Sequence, residues 1–480
     1  MRKRVAIIGS GVSGLTAALL LNDRYEVHVL EKETHIGGHT NTRHITPTPA
    51  RDIANPLAVD TGFIVFNPRR YPQFVAMLDY LGVASQASDM SFSVSLAGGR
   101  FEYASHGVGL LLRPKYWFLP NYWRLLYDLV RFYRSASRIA HQRLTPRATL
   151  GDLVRHLKLS PAFVHGHLLP MAAAIWSSPP RRMLRFPAQA FLRFMDNHGL
   201  LNFIKRPKWR CVKGGSDQYV MALTKRLKHP VETGVTIKAI TRDTSKNTVA
   251  ITMADTGTDA GKNTKSHTRY YDYVVLAAHA DESLALIKDA TPDERDILGA
   301  FRFQTNRAVL HGDSGLMPQS HKLWASWNYI ASKNNTKKNN NIAAFGEAKQ
   351  ALSVTYWMNR LQNIRLDVPL FISLNPPPAY ALAPQKIYAE MTYTHPMFDY
   401  ATHKAQKRLP NIQGKAGLYF CGAWTRWGFH EDGVVSAIAV AQQLGVAVPW
   451  VKEEEATKTT PKLISKAKPV TVAVAKEVAT

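Results

Sequence analysis

Residues 4–31 read RVAIIGSGVSGLTAALLLNDRYEVHVLE, and this stretch decides the fold. A short apolar run at 4–8 predicts a strand, and the glycine-rich segment after it predicts a turn. The apolar residues 15–21 continue as a helix, and 26–31 predict a second strand. The stretch is therefore a βαβ unit of the kind that binds a dinucleotide.

Each residue type in the turn has a physical reason. Gly9 permits the tight turn, and Gly11 lets the backbone approach a pyrophosphate. Gly14 lets the helix pack closely on the strand, and Ser13 lies in the first helical turn, where backbone N–H groups face the phosphates. Glu31, at the end of the second strand, is placed to accept hydrogen bonds from ribose hydroxyls and would repel a 2′-phosphate, so the pattern disfavours NADP.

The composition excludes several classes of protein. The chain has 480 residues and only two cysteines, Cys211 and Cys421, which argues against a disulfide scaffold and a cysteine-based metal site. We expect no metal. The net charge is +26, and residues 101–230 carry 22 basic and 5 acidic side chains. Such a field attracts an anionic surface, but no nucleic-acid recognition module accompanies it, so we expect no nucleic-acid partner.

A second glycine motif follows Glu31 at a short distance. It reads Gly37-Gly38-His39-Thr40-Asn41-Thr42. This resembles the signature of the flavin-dependent amine oxidase and phytoene desaturase superfamily, in which the ribose-binding acid precedes a Gly-Gly-Arg-x-x-Thr segment beside the pyrophosphate. The match covers Gly37, Gly38 and Thr42, and His39 stands where the family has arginine.

Further segments resemble the same family in the same order. Gly62 lies in the segment that returns toward the flavin, and Val235 corresponds to the strand residue whose backbone holds the adenine. Gly422 and the later Asp432-Gly433-Val434 resemble the C-terminal flavin motif, where a helix N-terminus faces the flavin. The acid that usually follows the Gly422 equivalent is Ala423 here. The resemblance implies non-covalent FAD.

The chain is most similar to a bacterial group of FAD/NAD-binding proteins found with cyclopropane-fatty-acyl-phospholipid synthase-like methyltransferases. The segments that carry this resemblance include 59–67, 88–93, 196–200 and 428–433. It implies an acyl-lipid or other apolar substrate and a functional association with a lipid methyltransferase.

These observations predict an α/β fold with a discontinuous Rossmann-like FAD-binding domain of the amine oxidase type, formed by residues 1–70, 206–300 and 401–448. An interleaved α+β substrate domain comprises residues 71–205 and 301–400. Its 71–205 part is expected to be mostly helical. Residues 332–341 predict a solvated loop and 451–480 a disordered tail.

The candidate acid–base groups are His430, within the flavin motif, and His395 in the substrate domain, with His198 as a third. A neutral imidazole can accept a C–H proton. An amine oxidase would be expected to place a lysine near the flavin, and Lys322 and Lys386 are candidates by region only.

The first functional hypothesis is an FAD-dependent oxidoreductase that desaturates an acyl chain by hydride transfer to flavin N5. The alternatives are a flavin amine oxidase and a non-catalytic FAD- or lipid-binding accessory protein.

The sequence shows neither a cleavable signal nor a membrane span, which predicts a cytoplasmic protein. Residues 105–147 interleave aromatic and basic side chains, with Arg124, Asp128, Arg131, Arg134 and Arg138 on the charged side of an amphipathic helix. They predict peripheral association with an anionic inner-membrane surface, or alternatively a helix whose aromatic residues pack into the core.

Overall fold

A computed structural model of the chain describes residues 2–47, 56–105, 114–142, 144–145, 147–176, 180–197, 200–201, 208–255, 266–331, 352–377 and 380–450. The sequence predictions for 332–341 and for 451–480 fall outside these ranges, as does His198.

The strands of the described residues are β1 (Arg4–Ile8), β2 (Glu26–Leu30), β3 (Thr42–Ile45), β4 (Leu57–Asp60), β5 (Ser85–Ser88), β6 (Phe92–Leu96), β7 (Phe101–Ala104), β8 (Trp209–Val212), β9 (Ile237–Asp243), β10 (Thr248–Ala254), β11 (Ser266–Tyr271), β12 (Tyr273–Leu276), β13 (Arg302–His311), β14 (Trp327–Ala331), β15 (Leu352–Trp357), β16 (Phe371–Leu374), β17 (Ile387–Met397) and β18 (Leu418–Phe420).

The helices are α1 (Val12–Leu21), α2 (Pro72–Leu81), α3 (Pro114–Trp117), α4 (Pro120–Ala140), α5 (Leu150–His156), α6 (Pro161–Phe163), α7 (Leu169–Trp176), α8 (Pro180–Met183), α9 (Ala188–Asn197), α10 (Asp217–Thr224), α11 (Ala280–Leu286), α12 (Pro292–Leu298), α13 (Met358–Leu361), α14 (Tyr400–Arg408) and α15 (His430–Gln443). A π-helical turn, Val164–Leu168, joins α6 to α7.

The nucleotide-binding sheet is parallel, with strand order β18-β12-β1-β2. The central strand β1 is buried from Val5 to Ile8, as expected for a strand covered on both faces. Helix α1 is buried on nearly every side because α15 and α10 pack on it in addition to the sheet. This explains why α1 is apolar all round. The carboxyl ends of β1, β2 and β12 meet at one edge, where α1 begins.

A second, seven-stranded sheet has the order β17-β13-β16-β15-β14-β6-β7. Its longest pairing is the antiparallel one between β13 and β17, which runs from Arg302 opposite Met397 to His311 opposite Ile387. Helices α4 to α9 form a separate apolar cluster around Phe132, Phe163 and Phe191. The helical cluster and the sheet face each other, and the site described below lies between them.

The local predictions differ from the structure in three places. The first helix begins at Val12 rather than at Leu15. The described part of residues 71–205 is mostly helical, as predicted, but it also contains the strands β5, β6 and β7. Helix α2, which follows the predicted boundary at residue 70, packs into the nucleotide-binding core through Phe74 and Met77. The parallel sheet draws its strands from the three segments predicted to form the FAD-binding domain, but the division into domains itself stays a prediction.

The described helices include none that combines the length and the apolar character needed to cross a bilayer.

The close packing of α1 on β1 predicts that alanine substitutions at Gly14 and at Gly11 differ strongly in their effect on stability. A Cβ at Gly14 would lie 1.9 Å from the Gly9 carbonyl oxygen, whereas one at Gly11 would meet no atom within 4 Å. Gly14→Ala should therefore destabilise the apoprotein by about 3 kcal/mol. Gly11→Ala should leave its unfolding midpoint within about 0.5 kcal/mol of the parent value while weakening dinucleotide binding. Denaturant unfolding of the two apoproteins measures this difference, and equal destabilisation by both substitutions would contradict it.

Candidate active site

The candidate site is a cavity of about 1640 Å³ between the nucleotide-binding sheet, the seven-stranded sheet and the helical cluster. It begins at Gly9 and Gly11 and extends to Met171 and Phe194. Sites for single drug-sized ligands are usually about 300–1,000 Å³. This cavity therefore has room for a dinucleotide and for a second molecule beside it.

The first turn of α1 forms one end of the cavity. Gly9 adopts a φ of +103°, which only glycine reaches without strain. Gly11 precedes the helix, and no side chain caps the N-terminal N–H groups there. Gly38 lies directly behind Gly11, and a Cβ on Gly38 would be 3.2 Å from the Gly11 Cα. The orphan N–H groups and the open side of Gly11 form a cradle suited to a pyrophosphate.

Glu31 is buried at the end of β2 and lines the cavity. Its Oε2 accepts hydrogen bonds from the backbone N–H and the hydroxyl of Ser10, each at 2.7 Å, and its Oε1 accepts one from the Glu33 N–H. The Val235 N–H donates to the Glu31 carbonyl, which holds these two cavity-lining residues together. A carboxylate has about four acceptor positions, so Glu31 retains one for a ribose hydroxyl.

His39 and Gly62 lie on two paired loop segments of the cavity wall. The Phe63 N–H donates to the His39 carbonyl at 2.7 Å, and a Cβ on Gly62 would come within 2.2 Å of the same oxygen. Gly37 stands behind this wall, where its N–H donates to the Ser10 hydroxyl. Asn41 lines the cavity wall, and its Oδ1 is buried without a partner among the described residues. An unpaired buried acceptor of this kind is consistent with a bound ligand.

Thr42 does not line the cavity and instead supports the wall from behind. Its hydroxyl donates to Asp60 Oδ1 at 2.6 Å, and the same oxygen accepts from the N–H and hydroxyl of Ser216. Gln362 donates to Asp60 Oδ2. Burial raises the pKa of the Asp60 carboxyl to about 6. This network fixes the segment that carries Gly62.

One glycine of the C-terminal motif lines the cavity, and the three residues predicted on α15 lie outside it. Gly422 lines the cavity, and its φ of +154° places a Cβ 2.4 Å from the Trp424 indole nitrogen. Asp432 turns away from the cavity and accepts hydrogen bonds from the N–H groups of Trp427 and Phe429. Gly433 allows α15 to approach α1, and Val434 is fully buried beside it. The structure thus gives these last three residues a role in positioning the α15 N-terminus.

His430 lines the cavity, but its Nε2 is already engaged. It lies 3.0 Å from the Thr40 hydroxyl and 3.1 Å from the Tyr219 hydroxyl. The ring stacks on Phe63 with the ring centroids 3.5 Å apart. Burial lowers the pKa of His430 well below its usual value. The imidazole is therefore neutral and held firmly in the wall.

His395 belongs to a cluster with His39 and His279. The ring centroid of His39 lies 5.4 Å from that of His395 and 6.3 Å from that of His279. Burial lowers the pKa of His395 to about 3 and that of His39 to about 4. All three residues line the cavity. Asn306 donates to His395 Nδ1 at 2.9 Å, so the proton of the neutral ring resides on Nε2.

His279 is the functional candidate that the sequence reasoning missed. It directly follows β12, so it lies at the carboxyl end of a parallel strand, which is where such sheets bind their ligands. Its ring stacks on Phe303 with centroids 4.1 Å apart. The position after the strand was a usable signal, but a lone histidine in a loop does not show which other histidines it meets.

The far part of the cavity is an apolar chamber. The seven-stranded sheet contributes Trp327, Tyr356, Leu374 and Met391, and the helical cluster contributes Tyr133, His167, Met171, Ala174, Ile175, Trp176 and Phe194. Lys322 and Lys386 are not among the lining residues. Cys421 is fully buried, and burial raises the pKa of its thiol to about 12, which disfavours a thiolate that could attach to a flavin.

Among the described residues, three potential metal ligands cluster outside the cavity. Glu26, His28 and His229 bring their ligand atoms within 4.8 Å of one another on β2 and the loop after α10. Arg4 already pairs with Glu26, with Nε 3.4 Å from Oε1, so we assign no metal to this cluster.

Comparison with solved structures identifies the architecture. The chain superposes on the CLA-producing fatty acid isomerase from P. acnes with a TM-score of 0.58 and 17% identity, over 92% of this chain and 99% of that one. For cyclohexylamine oxidase from Brevibacterium oxydans the TM-score is 0.60 at 14% identity, over 93% and 100%. The chain has the amine oxidase-like fold. A putative protoporphyrinogen oxidase from Exiguobacterium sp. shares it, with a TM-score of 0.62 at 13% identity over 92% and 98%.

Sequence comparison matches a smaller part of the chain than structural comparison does. A family model described as an NAD(P)-binding Rossmann-like domain matches residues 7–81. The uncharacterized protein R656 of Acanthamoeba polyphaga mimivirus is 44% identical over 48 residues, which cover 10% of this chain and 10% of that protein. The amine oxidase-like fold therefore covers 92% of the chain, and the family-model match lies within residues 7–81.

Substitutions of Glu31 test whether the cradle at the start of α1 binds a dinucleotide. Glu31→Ala should weaken FAD binding by about 1.5–3 kcal/mol, since it removes a charge-assisted hydrogen bond to a hydroxyl. Glu31→Gln keeps an acceptor for the Ser10 N–H and should lose less affinity. Calorimetric titration of the apoproteins with FAD compares the two, with unfolding midpoints as the control for the Ser10 turn. Unchanged FAD affinity in Glu31→Ala would exclude Glu31 from the site.

Proposed function

We propose that the protein is an FAD-dependent oxidoreductase that dehydrogenates an acyl chain. The observation that carries the proposal is the continuity of the cavity, which joins the dinucleotide cradle at Gly11 to the apolar chamber at Met171 and Phe194. A long apolar substrate placed in the chamber would extend to the cradle within the same cavity. The shared fold with a fatty acid isomerase is consistent with such a substrate.

The residues that would hold FAD fit the group chemically. The N-terminal N–H groups of α1 would bind the pyrophosphate, Glu31 the ribose of the adenosine, and the α15 N-terminus would face the flavin. Bound FAD supplies an acceptor for the hydride that leaves the substrate carbon. The link is expected to be non-covalent, because the Cys421 thiol is buried away from the cavity.

The cavity histidines would orient the substrate rather than remove its proton. His395 has a pKa of about 3, and the Nε2 of His430 is held by Thr40 and Tyr219. An imidazole with so low a pKa is a weak base at neutral pH. The proton released from the second substrate carbon would therefore pass to water in the cavity, and bound FAD would supply the acceptor for the hydride.

An amine oxidase is the alternative in the same class. It would need to accept a substrate amine, and a charged amine in the chamber would seek a carboxylate. The carboxylates on the sheet side of the cavity, Asp89 and Glu390, already pair with Arg360 and Arg307 at 3.1 Å and 2.6 Å. The acyl-chain hypothesis therefore fits the chamber better. The association with a lipid methyltransferase stays a prediction.

Anaerobic titration of the yellow holoprotein tests the activity. Acyl-lipid fractions should bleach the flavin absorbance in proportion to the lipid added, because substrate electrons then remain on the cofactor. Peroxide release in air with amines but not with lipids would favour the amine oxidase. Absence of bleaching by any fraction, with FAD bound, would favour the non-catalytic accessory protein.

We further propose that the protein binds an anionic membrane surface through an aromatic surface. This surface comprises the exposed side chains Trp117, Phe118, Trp123, Tyr127 and Val130 of α3, α4 and the turn between them. Phe118 is 87% exposed. Exposed aromatic residues beside arginines are suited to the headgroup region of a bilayer.

Helix α4 joins this surface to the cavity. Its buried face contains Tyr122, Leu125 and Phe132, and Tyr133 on the same helix lines the chamber. Asp128, expected on the charged face, is instead fully buried, where it accepts the Ser160 N–H and lies 2.8 Å from Arg131. Some aromatic residues therefore pack in the core, as the alternative expectation had it, while the aromatic surface remains exposed.

Liposome flotation tests the membrane proposal. Phe118→Ala should reduce binding to anionic vesicles, and Arg134→Glu with Arg138→Glu should reduce it further, since these arginines are exposed and each basic residue near such a surface contributes about 1 kcal/mol. Arg124 and Arg131 are unsuitable because both pair with buried Asp128.

Met221→Ala, at an exposed apolar residue of the nucleotide-binding domain, is the matched control and should bind as the parent does. The proposal fails if the parent protein does not float with anionic vesicles at low salt.

A further inference from the structure

A second cavity, of about 290 Å³, adjoins the apolar chamber. It lies between α8, the start of β13 and the end of β17, and Trp176, Pro396 and Phe398 line both it and the chamber. Its volume is at the lower end of the range for ligand sites. The cavity therefore has room for a head group but not for a long acyl chain.

Three arginines, Arg182, Arg185 and Arg302, line this second cavity, which we call the arginine pocket. The backbone N–H groups of Arg185 and Phe186 bond to the carbonyls of residues 182 and 183, so the helical turn of α8 continues through residue 186. Residues three apart share one side of such a turn. Arg182 and Arg185 are exposed on one side, and Met183 and Phe186 are buried on the other. The pocket thus combines basic and apolar walls, as a site for an amphiphile requires.

The guanidinium groups of α8 and its following turn retain donors that no described residue uses. Arg182 bonds through Nη1 alone, at 3.4 Å to Gln304 Oε1 and at 2.7 Å to the Met397 sulfur. The side chain of Arg185 has neither a hydrogen bond nor an ion pair with any described residue. Because a guanidinium has five N–H donors, both arginines can bind a further acceptor.

The arginine pocket carries an excess of positive charge. Among the described residues that line it, the single carboxylate is Asp399. This side chain accepts the Thr402 N–H at 2.9 Å at the start of α14 and lies 3.7 Å from Arg302 Nη2. One carboxylate facing three guanidinium groups leaves positive charge without a counter-charge. An oxyanion there would gain charge-assisted hydrogen bonds, and the planar guanidinium matches the oxygens of a carboxylate or a phosphate.

We propose that the arginine pocket binds the anionic head group of the substrate, a carboxylate or a phosphate ester, while the acyl chain occupies the chamber. The inference rests on the proposed function, because it concerns the same substrate. The chain would pass from the pocket into the chamber beside Trp176 and Phe398, which line both spaces. A head group fixed in the pocket would set how far the chain extends and which of its carbons reach the flavin.

Substitution of the two arginines of the α8 turn tests the inference. Arg182→Gln with Arg185→Gln should weaken the binding of decanoate to the holoprotein about tenfold, since charge-assisted hydrogen bonds are lost from a site open to solvent. Binding of 1-decanol, which has the same chain length and no charge, should be unchanged. Calorimetric titration at low salt measures both dissociation constants, and high salt should reduce the effect on decanoate.

Decyl phosphate, assayed beside decanoate, distinguishes the two sources of the head group. Tighter binding of decanoate assigns a free fatty acid, and tighter binding of decyl phosphate assigns a phospholipid. Arg182→Lys with Arg185→Lys keeps both charges and should retain most of the affinity for the anionic probes. Arg365→Gln removes an exposed arginine outside both cavities and is the matched control, which should bind every probe as the parent does.

Three results would overturn the inference. They are unchanged binding of both anionic probes in the double glutamine variant, an equal loss of 1-decanol affinity in that variant, and no binding of either anionic probe by the parent. These outcomes are distinct from failure of the proposed function. A holoprotein whose flavin no acyl lipid bleaches refutes the oxidoreductase, while the probe measurements, which need no flavin reduction, still decide the role of the arginine pocket.

Discussion

The close approach of α1 to both β1 and α15 is the constraint on which the site depends. Gly14 has no Cβ because the Gly9 carbonyl occupies that space, and a Cβ on Gly433 would meet the Val12 and Ser13 side chains at 2.8 Å. Two helix N-termini are thereby brought to the same edge of the parallel sheet. Their partial positive charges add there, which makes that edge suited to a dinucleotide whatever chemistry the rest of the chain performs.

The histidines of the cavity wall near this edge are polar but uncharged. Burial keeps His39, His395 and His430 neutral, with pKa values lowered from the usual range. Where the related flavin proteins have an arginine, this chain has His39, whose Nε2 lies 3.1 Å from the Thr394 carbonyl. These imidazoles therefore offer hydrogen bonds without fixed charge, beside the Glu31 carboxylate at the same edge.

The glycine motifs and Glu31 were predictable because their function depends on local backbone geometry, which a spacing of a few residues encodes. The same is true of the parallel β1–β2 pair. The histidine cluster was not predictable in full, because His39, His279 and His395 come from three distant segments and meet only where Thr394 of β17 contacts both His39 and His279. Similarly, Asp432 reads as a cofactor residue from its motif, but its side chain is turned back to cap the loop before α15.

Helix α4, Pro120–Ala140, likewise has one property that the sequence predicts and another that only the packing decides. Its periodicity predicts an amphipathic helix with arginines on one side, and this follows from the 3.6-residue repeat alone. Periodicity cannot tell which aromatic residues face the core, because Tyr122 and Trp123 are equally apolar and the packing partners come from other segments.

The sequence by itself determined the nucleotide-binding unit and the excess positive charge, since both are properties of local spacing and composition. The tertiary structure decided the chamber, the burial of Asp128 beside Ser160 and the contacts of His167 with Tyr103 and Tyr133, since each requires separate elements to meet in a desolvated space.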